Sequence, residues 1–84
     1  MDNLGKRIKQ LRTSKDLTME MLVADMNAMF PESNLDKSML SRWENGLNEP
    51  SLIYVKYLAM YFDVSADYIA GLTDKKTPIR LLAR

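Results

Sequence analysis

The segment from residue 36 to residue 46, DKSMLSRWENG, has the pattern of a short amphipathic helix with a defined start and end. Asp36 can cap the N-terminus through its carboxylate, and Gly46 can adopt the left-handed conformation that often ends a helix. Leu40 and Trp43 are three residues apart, so they share one face, which we expect to pack into a core. The polar side chains are left on the outer face of this helix: Lys37, Ser38, Ser41 and Arg42.

The remaining apolar residues also recur with the helical period, and no segment alternates as a half-buried strand would. The sequence therefore predicts an all-α fold of five helices. Thr18, Ser51 and Ser65 are the expected N-caps of the second, fourth and fifth helices, and Pro31 should end the second because it has no backbone N–H. The expected buried faces are Leu4, Ile8 and Leu11 in the first helix, Leu22 and Met26 with Met29 or Phe30 in the second, and Leu52, Val55, Leu58, Ala59 and Phe62 in the fourth.

A chain of 84 residues is long enough for one compact core and too short for two domains. It contains neither cysteine nor histidine, which removes the thiolate nucleophile, the commonest general base and the commonest metal ligands. No apolar run reaches the roughly 18 residues of a membrane span. We therefore expect a cytoplasmic protein that is not an enzyme and has no cofactor, metal site, small-molecule substrate or membrane partner.

The formal net charge of +1 conceals a segregation of charge along the chain. Residues 1–15 carry five bases against one acid, residues 16–36 carry five acids and no base, and the tail after Asp74 is purely basic. Such basic segments are either candidate partners for DNA phosphates or a solvated face. In the first helix these candidates are Lys6, Arg7, Lys9 and Lys15.

Five stretches of the chain carry a family resemblance: LGKRIKQLR, LTMEML, SRWENG, EPS and YFDVSADYIAGL. Across residues 4–72 the chain resembles the phage repressor and Cro-type helix-turn-helix proteins, an XRE-like family. The resemblance implies a compact lambda-repressor-like bundle of five helices whose second and third helices bind operator DNA, usually as a homodimer on a palindromic double-stranded site. It divides the chain into a DNA-binding domain, residues 1–72, and a basic tail, residues 73–84.

The family's binding roles are carried over only at positions that match its motifs. Lys37 and Ser38 resemble the main base readers, and Ser41 and Arg42 resemble later positions that contact bases or phosphates. Arg42 is the leading base reader because a guanidinium can donate two hydrogen bonds to guanine. Asn45 matches a phosphate-contacting position. Arg12 and Glu44 match a structural ion pair that ties the first helix to the third.

The sequence departs from the family's pattern in three places. About seven extra residues lie within NAMFPESNLD, residues 27–36, and are expected to lengthen the second helix by about a turn and the connection to the third. Met19 stands where the family often has a glutamine that contacts a phosphate, so Thr18 or a backbone N–H would have to supply that contact. Asp36 stands where serine or threonine is common, which brings a carboxylate close to the DNA backbone.

Three tyrosines, Tyr54, Tyr57 and Tyr61, lie on one side of the fourth helix, about 130° from its expected buried face. Exposed aromatic residues in a row are candidate interface anchors. One interpretation is a dimer contact formed with the fifth helix and residues 79–82, and the other is packing against the chain's own tail.

Two functions fit these patterns. The first is a sequence-specific DNA-binding transcriptional regulator of phage or bacterial type, expected to act as a repressor. The alternative is a protein-interaction module, such as an antitoxin-like or accessory subunit with secondary DNA contact. Salt dependence separates them, because binding through several phosphates weakens steeply as salt rises.

Overall fold

The computed structural model describes residues 3–77, which form a bundle of five α-helices without any β-strand in that range. The all-α class and the number of helices predicted from the sequence are confirmed. A 3₁₀ helix, Pro31–Ser33, lies between the second and third α-helices. The α-helices are α1 (Leu4–Ser14), α2 (Met19–Met29), α3 (Lys37–Glu44), α4 (Leu52–Phe62) and α5 (Ala66–Ile69).

All four predicted capping residues stand at the N-cap positions of their helices, and three of them make the capping hydrogen bond. The side chains of Thr18, Asp36 and Ser65 accept hydrogen bonds from backbone N–H groups in the first turns of α2, α3 and α5. Ser51 stands at the N-cap position of α4, but its side chain makes no capping hydrogen bond. The position predicted for this cap is therefore confirmed, whereas the capping hydrogen bond expected from the Ser51 hydroxyl is not formed.

The core lies where α1, α2, α3, α4 and α5 meet, and α3 packs against both α1 and α2. The predicted anchors of α3 are confirmed, since Leu40 is fully buried and Trp43 nearly so. The fully buried large side chains are Ile8, Leu22, Met26, Leu40, Leu58 and Ile69. No helix within the described part of the chain is long and apolar enough to cross a membrane.

The structure decides one alternative in the predicted core and corrects one assignment. Phe30, rather than Met29, completes the buried side of α2. The assignment of Leu52 to the core is wrong, because its side chain is 72% exposed. Leu52 is the first residue of α4, at the edge of the bundle, and no neighbouring helix covers this position although the helical period includes it.

Arg7, a candidate phosphate partner in the sequence, is buried with only 3% of its surface exposed. Its guanidinium lies over the ring of Tyr68 and donates hydrogen bonds to the carbonyl oxygens of Tyr68 and Thr73 and to the Asp74 carboxylate. The prediction that Arg7 contacts a DNA phosphate is therefore wrong. Arg7 instead holds residues 73 and 74 against α1 and α5. Residues 79–82, which were part of the expected dimer contact, lie outside the described residues.

Candidate nucleic-acid interface

The outer face of α3 brings the predicted base readers together. Asp36 accepts a hydrogen bond from the Met39 N–H at 2.8 Å, and this contact fixes the first turn of the helix. With Leu40 and Trp43 buried on the opposite face, the polar side chains of α3 other than Glu44 point away from the core. Lys37, Ser38, Arg42 and Asn45 are exposed, and Ser41 is half-buried.

Hydrogen bonds along α3 hold two of these side chains close to the helix. The Arg42 guanidinium donates to the Ser38 hydroxyl at 2.8 Å, one turn earlier. The Asn45 amide donates to the Ser41 carbonyl oxygen at 2.8 Å and to its hydroxyl at 3.3 Å. Exposed hydrogen bonds of this kind contribute little net free energy, so a base or a phosphate can replace them.

Glu20 belongs to the same surface, and it was not among the site residues predicted from the sequence. Its carboxylate accepts a hydrogen bond from the Lys37 ammonium at 2.9 Å, linking the first turns of α2 and α3. This hydrogen bond lowers the pKa of Glu20 below its usual value. Because 17 residues separate the partners, only the packing of α2 on α3 brings them together. The side chain of Lys37 is thus partly neutralised where it would approach DNA.

The N-terminus of α2 offers fewer contacts than the family pattern implies. Thr18 is exposed, and its hydroxyl oxygen accepts a hydrogen bond from the Met21 N–H at 3.1 Å. Met19 is half-buried and packs against the core, because its apolar side chain turns away from water. A DNA contact by the Met19 side chain is therefore disfavoured, which leaves its backbone N–H and the Thr18 hydroxyl as the groups available here.

Arg12 and Glu44 join the far end of α3 to α1. Two guanidinium nitrogens, Nε and Nη2, donate to the two carboxylate oxygens at 2.7 and 2.8 Å, and Nη1 donates to the Leu17 carbonyl oxygen at 2.8 Å. The Glu44 side chain is only 2% exposed, and its hydrogen bonds raise the pKa of Arg12. This bidentate pair fixes α1, the start of α2 and the end of α3 relative to one another.

Gly5 allows α1 to approach the C-terminal end of α3 closely. A β-carbon at this position would overlap the carbonyl oxygen of Trp43, crowd its carbonyl carbon and touch the carbonyl oxygen of Glu44. Gly5 is a functional residue that was not predicted from the sequence, although a glycine inside a helical pattern is itself a sign of close packing. Gly5 and the Arg12–Glu44 pair therefore act on the same end of α3.

The three tyrosines of α4 do not form the outward row that the helical period predicted. All three are half-buried and pack against the core. The Tyr54 hydroxyl donates to the Ser33 carbonyl oxygen at 2.5 Å, and the Tyr57 ring stacks on Phe30. The outward placement is wrong because α2 and the residues between α2 and α3 cover this side of α4.

Tyr61 completes this row near the end of α4. Its hydroxyl donates to the Asp25 carboxylate of α2 at 2.6 Å. Burial and this hydrogen bond raise the pKa of Tyr61 to about 12. The tyrosine set therefore connects α4 to α2 and to the residues that follow α2, and only its exposed edges remain for contact with another chain.

A short capped helix with an exposed polar face, packed across a second helix in a five-helix bundle, defines a helix-turn-helix domain of the DNA-binding class. The chain belongs to the helix-turn-helix family, whose model matches residues 8–69, and the resemblance predicted from the sequence is thereby confirmed. Family membership indicates that the matched region is a DNA-binding domain and not a catalytic one.

A curated relative is the uncharacterized HTH-type transcriptional regulator YobD of Bacillus subtilis (strain 168). It is 37% identical to this chain over 73 residues, an alignment that covers 87% of this chain and 59% of the relative. The chain thus spans less than two thirds of that protein's length. No solved structure matches the chain significantly. Within residues 3–77, no group of histidine, cysteine or carboxylate side chains could hold a metal ion.

Proposed function

We propose that this chain is a sequence-specific DNA-binding transcription regulator that represses initiation by occupying an operator. The observation that carries the proposal is the division of α3 into two faces. Leu40 and Trp43 are buried, while Lys37, Ser38 and Arg42 are exposed on the other side. Family membership and the relative's description as a transcriptional regulator support extending this geometry to DNA.

In the proposed complex, α3 lies in the major groove of operator DNA. Lys37, Ser38, Ser41 and Arg42 face the base edges, and the Arg42 guanidinium exchanges its bond to Ser38 for two acceptors on a guanine. Asn45 contacts a phosphate beyond the end of α3. At the start of α2, the Thr18 hydroxyl and the Met19 N–H contact another phosphate.

The proposal includes a homodimer on a palindromic operator in the cytoplasm. Two copies bound to adjacent turns of one DNA face would place their α3 helices about 34 to 36 Å apart. The exposed edges of Tyr54, Tyr57 and Tyr61, together with the basic tail, are the candidate contact between copies.

Selection of bound oligonucleotides from a random pool tests the proposed function. We expect an enriched palindrome whose half-sites lie about one helical turn apart. Affinity for the selected site should fall log-linearly with salt, because each neutralised phosphate releases counterions. No enriched sequence, together with a weak salt dependence, would contradict the proposal and favour the protein-interaction module instead.

A further inference from the structure

The residues that connect α2 to α3, which we call the lengthened turn (residues 30–36), have their own buried contacts. Phe30 stacks on Tyr57 with ring centroids 4.6 Å apart, and its carbonyl oxygen accepts a hydrogen bond from the Ser33 N–H at 2.9 Å. Ser33 and Leu35 are 3% and 4% exposed. The lengthened turn is therefore packed against the bundle and not held only by its two ends.

A single side chain, Asn27 of α2, binds the last part of this turn. Its amide Nδ2 donates to the Leu35 carbonyl oxygen at 2.8 Å, and its Oδ1 accepts from the Leu35 N–H at 2.9 Å. The same Oδ1 accepts from the Ser33 hydroxyl at 2.7 Å. Both backbone groups of Leu35 are thus paired with one rigid amide. Leu35 directly precedes Asp36, the residue that caps α3.

Tyr54 of α4 links the same turn to α3. Its hydroxyl donates to the Ser33 carbonyl oxygen at 2.5 Å, and its ring lies 5.2 Å from the ring of Trp43 between centroids. The backbone that leads into α3 is therefore held to α2 by Asn27 and to α4 by Tyr54. Neither contact involves the exposed face of α3.

We propose that Asn27 is a positioning residue that sets base preference without touching DNA. It fixes the backbone at Leu35, and this in turn fixes where α3 begins and where Lys37 and Ser38 lie relative to the groove. The inference rests on the proposed function of this chain. Base-edge hydrogen bonds tolerate small displacements poorly, whereas attraction to phosphates tolerates them well. Loss of the Asn27 contacts should therefore reduce discrimination between bases more than general attraction to DNA.

The test compares Asn27→Ala with two matched variants on the selected operator and on a set of its single-base-pair variants. Ile69→Val shortens a fully buried side chain in α5, away from the turn, and serves as a variant of reduced stability. Ser33→Ala removes one hydrogen bond to Asn27 and leaves both Leu35 groups paired. Denaturant unfolding and circular dichroism establish that each variant is folded under the binding conditions.

For Asn27→Ala we expect the preference for the selected base pairs facing the start of α3 to fall roughly fivefold or more, with a salt slope like that of the unmodified chain. Ile69→Val and Ser33→Ala should keep the preference. If Asn27→Ala is unfolded in the assay, Asn27→Asp takes its place, because it keeps the Oδ1 acceptor and replaces the Nδ2 donor by a carboxylate oxygen that cannot bind the Leu35 carbonyl oxygen. Its added negative charge lowers affinity for every DNA alike, so base preference remains the quantity compared.

Unchanged base preference in a folded Asn27 variant would overturn the inference, as would an equal change in Ile69→Val. A failure of the unmodified chain to select any sequence would instead be a failure of the proposed function, so the two results remain distinguishable.

Discussion

The two ends of α3 are held by different chemistry. At the C-terminal end, the charged Arg12–Glu44 pair is nearly excluded from water and forms two short hydrogen bonds. At the N-terminal end, the neutral amide of Asn27 pairs with the backbone of Leu35. A buried ion pair is costly to break because the remaining charge has no charged partner. The Asn27 side chain is half-buried, so water can replace its amide at the Leu35 backbone. The first end should therefore govern stability, and the second should govern fine orientation.

Removing the Glu44 carboxylate should give the largest effect. Glu44→Ala leaves the largely buried Arg12 guanidinium without its partner, and we expect a loss of about 3 to 5 kcal/mol in unfolding free energy by urea denaturation. The double variant Arg12→Met with Glu44→Leu should recover part of this loss, because it removes both charges. A loss below about 1 kcal/mol for Glu44→Ala would place the pair with ordinary surface ion pairs.

A methyl group at Gly5 tests the same end of α3 by crowding instead of charge. Gly5→Ala forces α1 away from the Trp43 carbonyl oxygen, and we expect it to cost about 1 to 3 kcal/mol of stability in spite of alanine's better helix propensity. A stabilised Gly5→Ala protein, measured by thermal unfolding, would show that α1 does not approach α3 as closely as described.

The natural comparison for this change is Gly46→Ala. Gly46 has open space around its α-carbon but a φ of +73°, so alanine there is strained and not crowded. Its expected cost is about 1 to 2 kcal/mol.

At the other end of α3, Tyr54→Phe removes one hydroxyl and keeps the ring. The Ser33 carbonyl oxygen loses its short hydrogen bond, and we expect a cost of about 0.5 to 1.5 kcal/mol in urea denaturation. Tyr57→Phe is the matched control, because its hydroxyl makes a longer, exposed contact to Glu32. Equal effects of the two variants would argue against a special role for the Tyr54 contact.

Glu20→Gln should have the smallest effect on stability among these variants, and its main effect should be on DNA affinity. The exposed Glu20–Lys37 pair contributes only about 0 to 1 kcal/mol. Removing the carboxylate frees the Lys37 ammonium and lowers the repulsion of phosphates, so affinity should rise on selected and unrelated DNA alike. Fluorescence anisotropy on both DNAs measures this, and a loss of affinity confined to the selected operator would instead identify Glu20 as a base reader.

The sequence predicted most of what is local in this fold. The caps at Thr18, Asp36 and Ser65 and the buried pair on α3 follow from short-range patterns, because a capping side chain bonds only two or three residues along the chain. The polar face of α3 followed from the same periodicity, with Lys37, Ser38, Ser41 and Arg42 left outside the core.

Contacts between distant segments could not be predicted from helical periodicity and capping patterns. The helical period indicated that the tyrosines of α4 share a side, but it carried no information about which segment covers them. Asn27, Gly5 and Glu20 are ordinary residues on helices, and their partners lie between 6 and 39 residues away. Such pairings depend on how the helices pack, which hydrophobic periodicity does not specify.

The most direct test of the account is the binding of Arg42→Ala to the selected operator and to its single-base-pair variants. Lys56→Ala, which removes one exposed positive charge from α4, is the control. We predict that Arg42→Ala weakens binding to the selected site by about 1 to 3 kcal/mol and abolishes discrimination at one base pair of each half-site, while Lys56→Ala keeps that discrimination. An equal loss for Arg42→Ala on every sequence would make Arg42 a phosphate contact and contradict the assignment of the outer face of α3 as the reading surface.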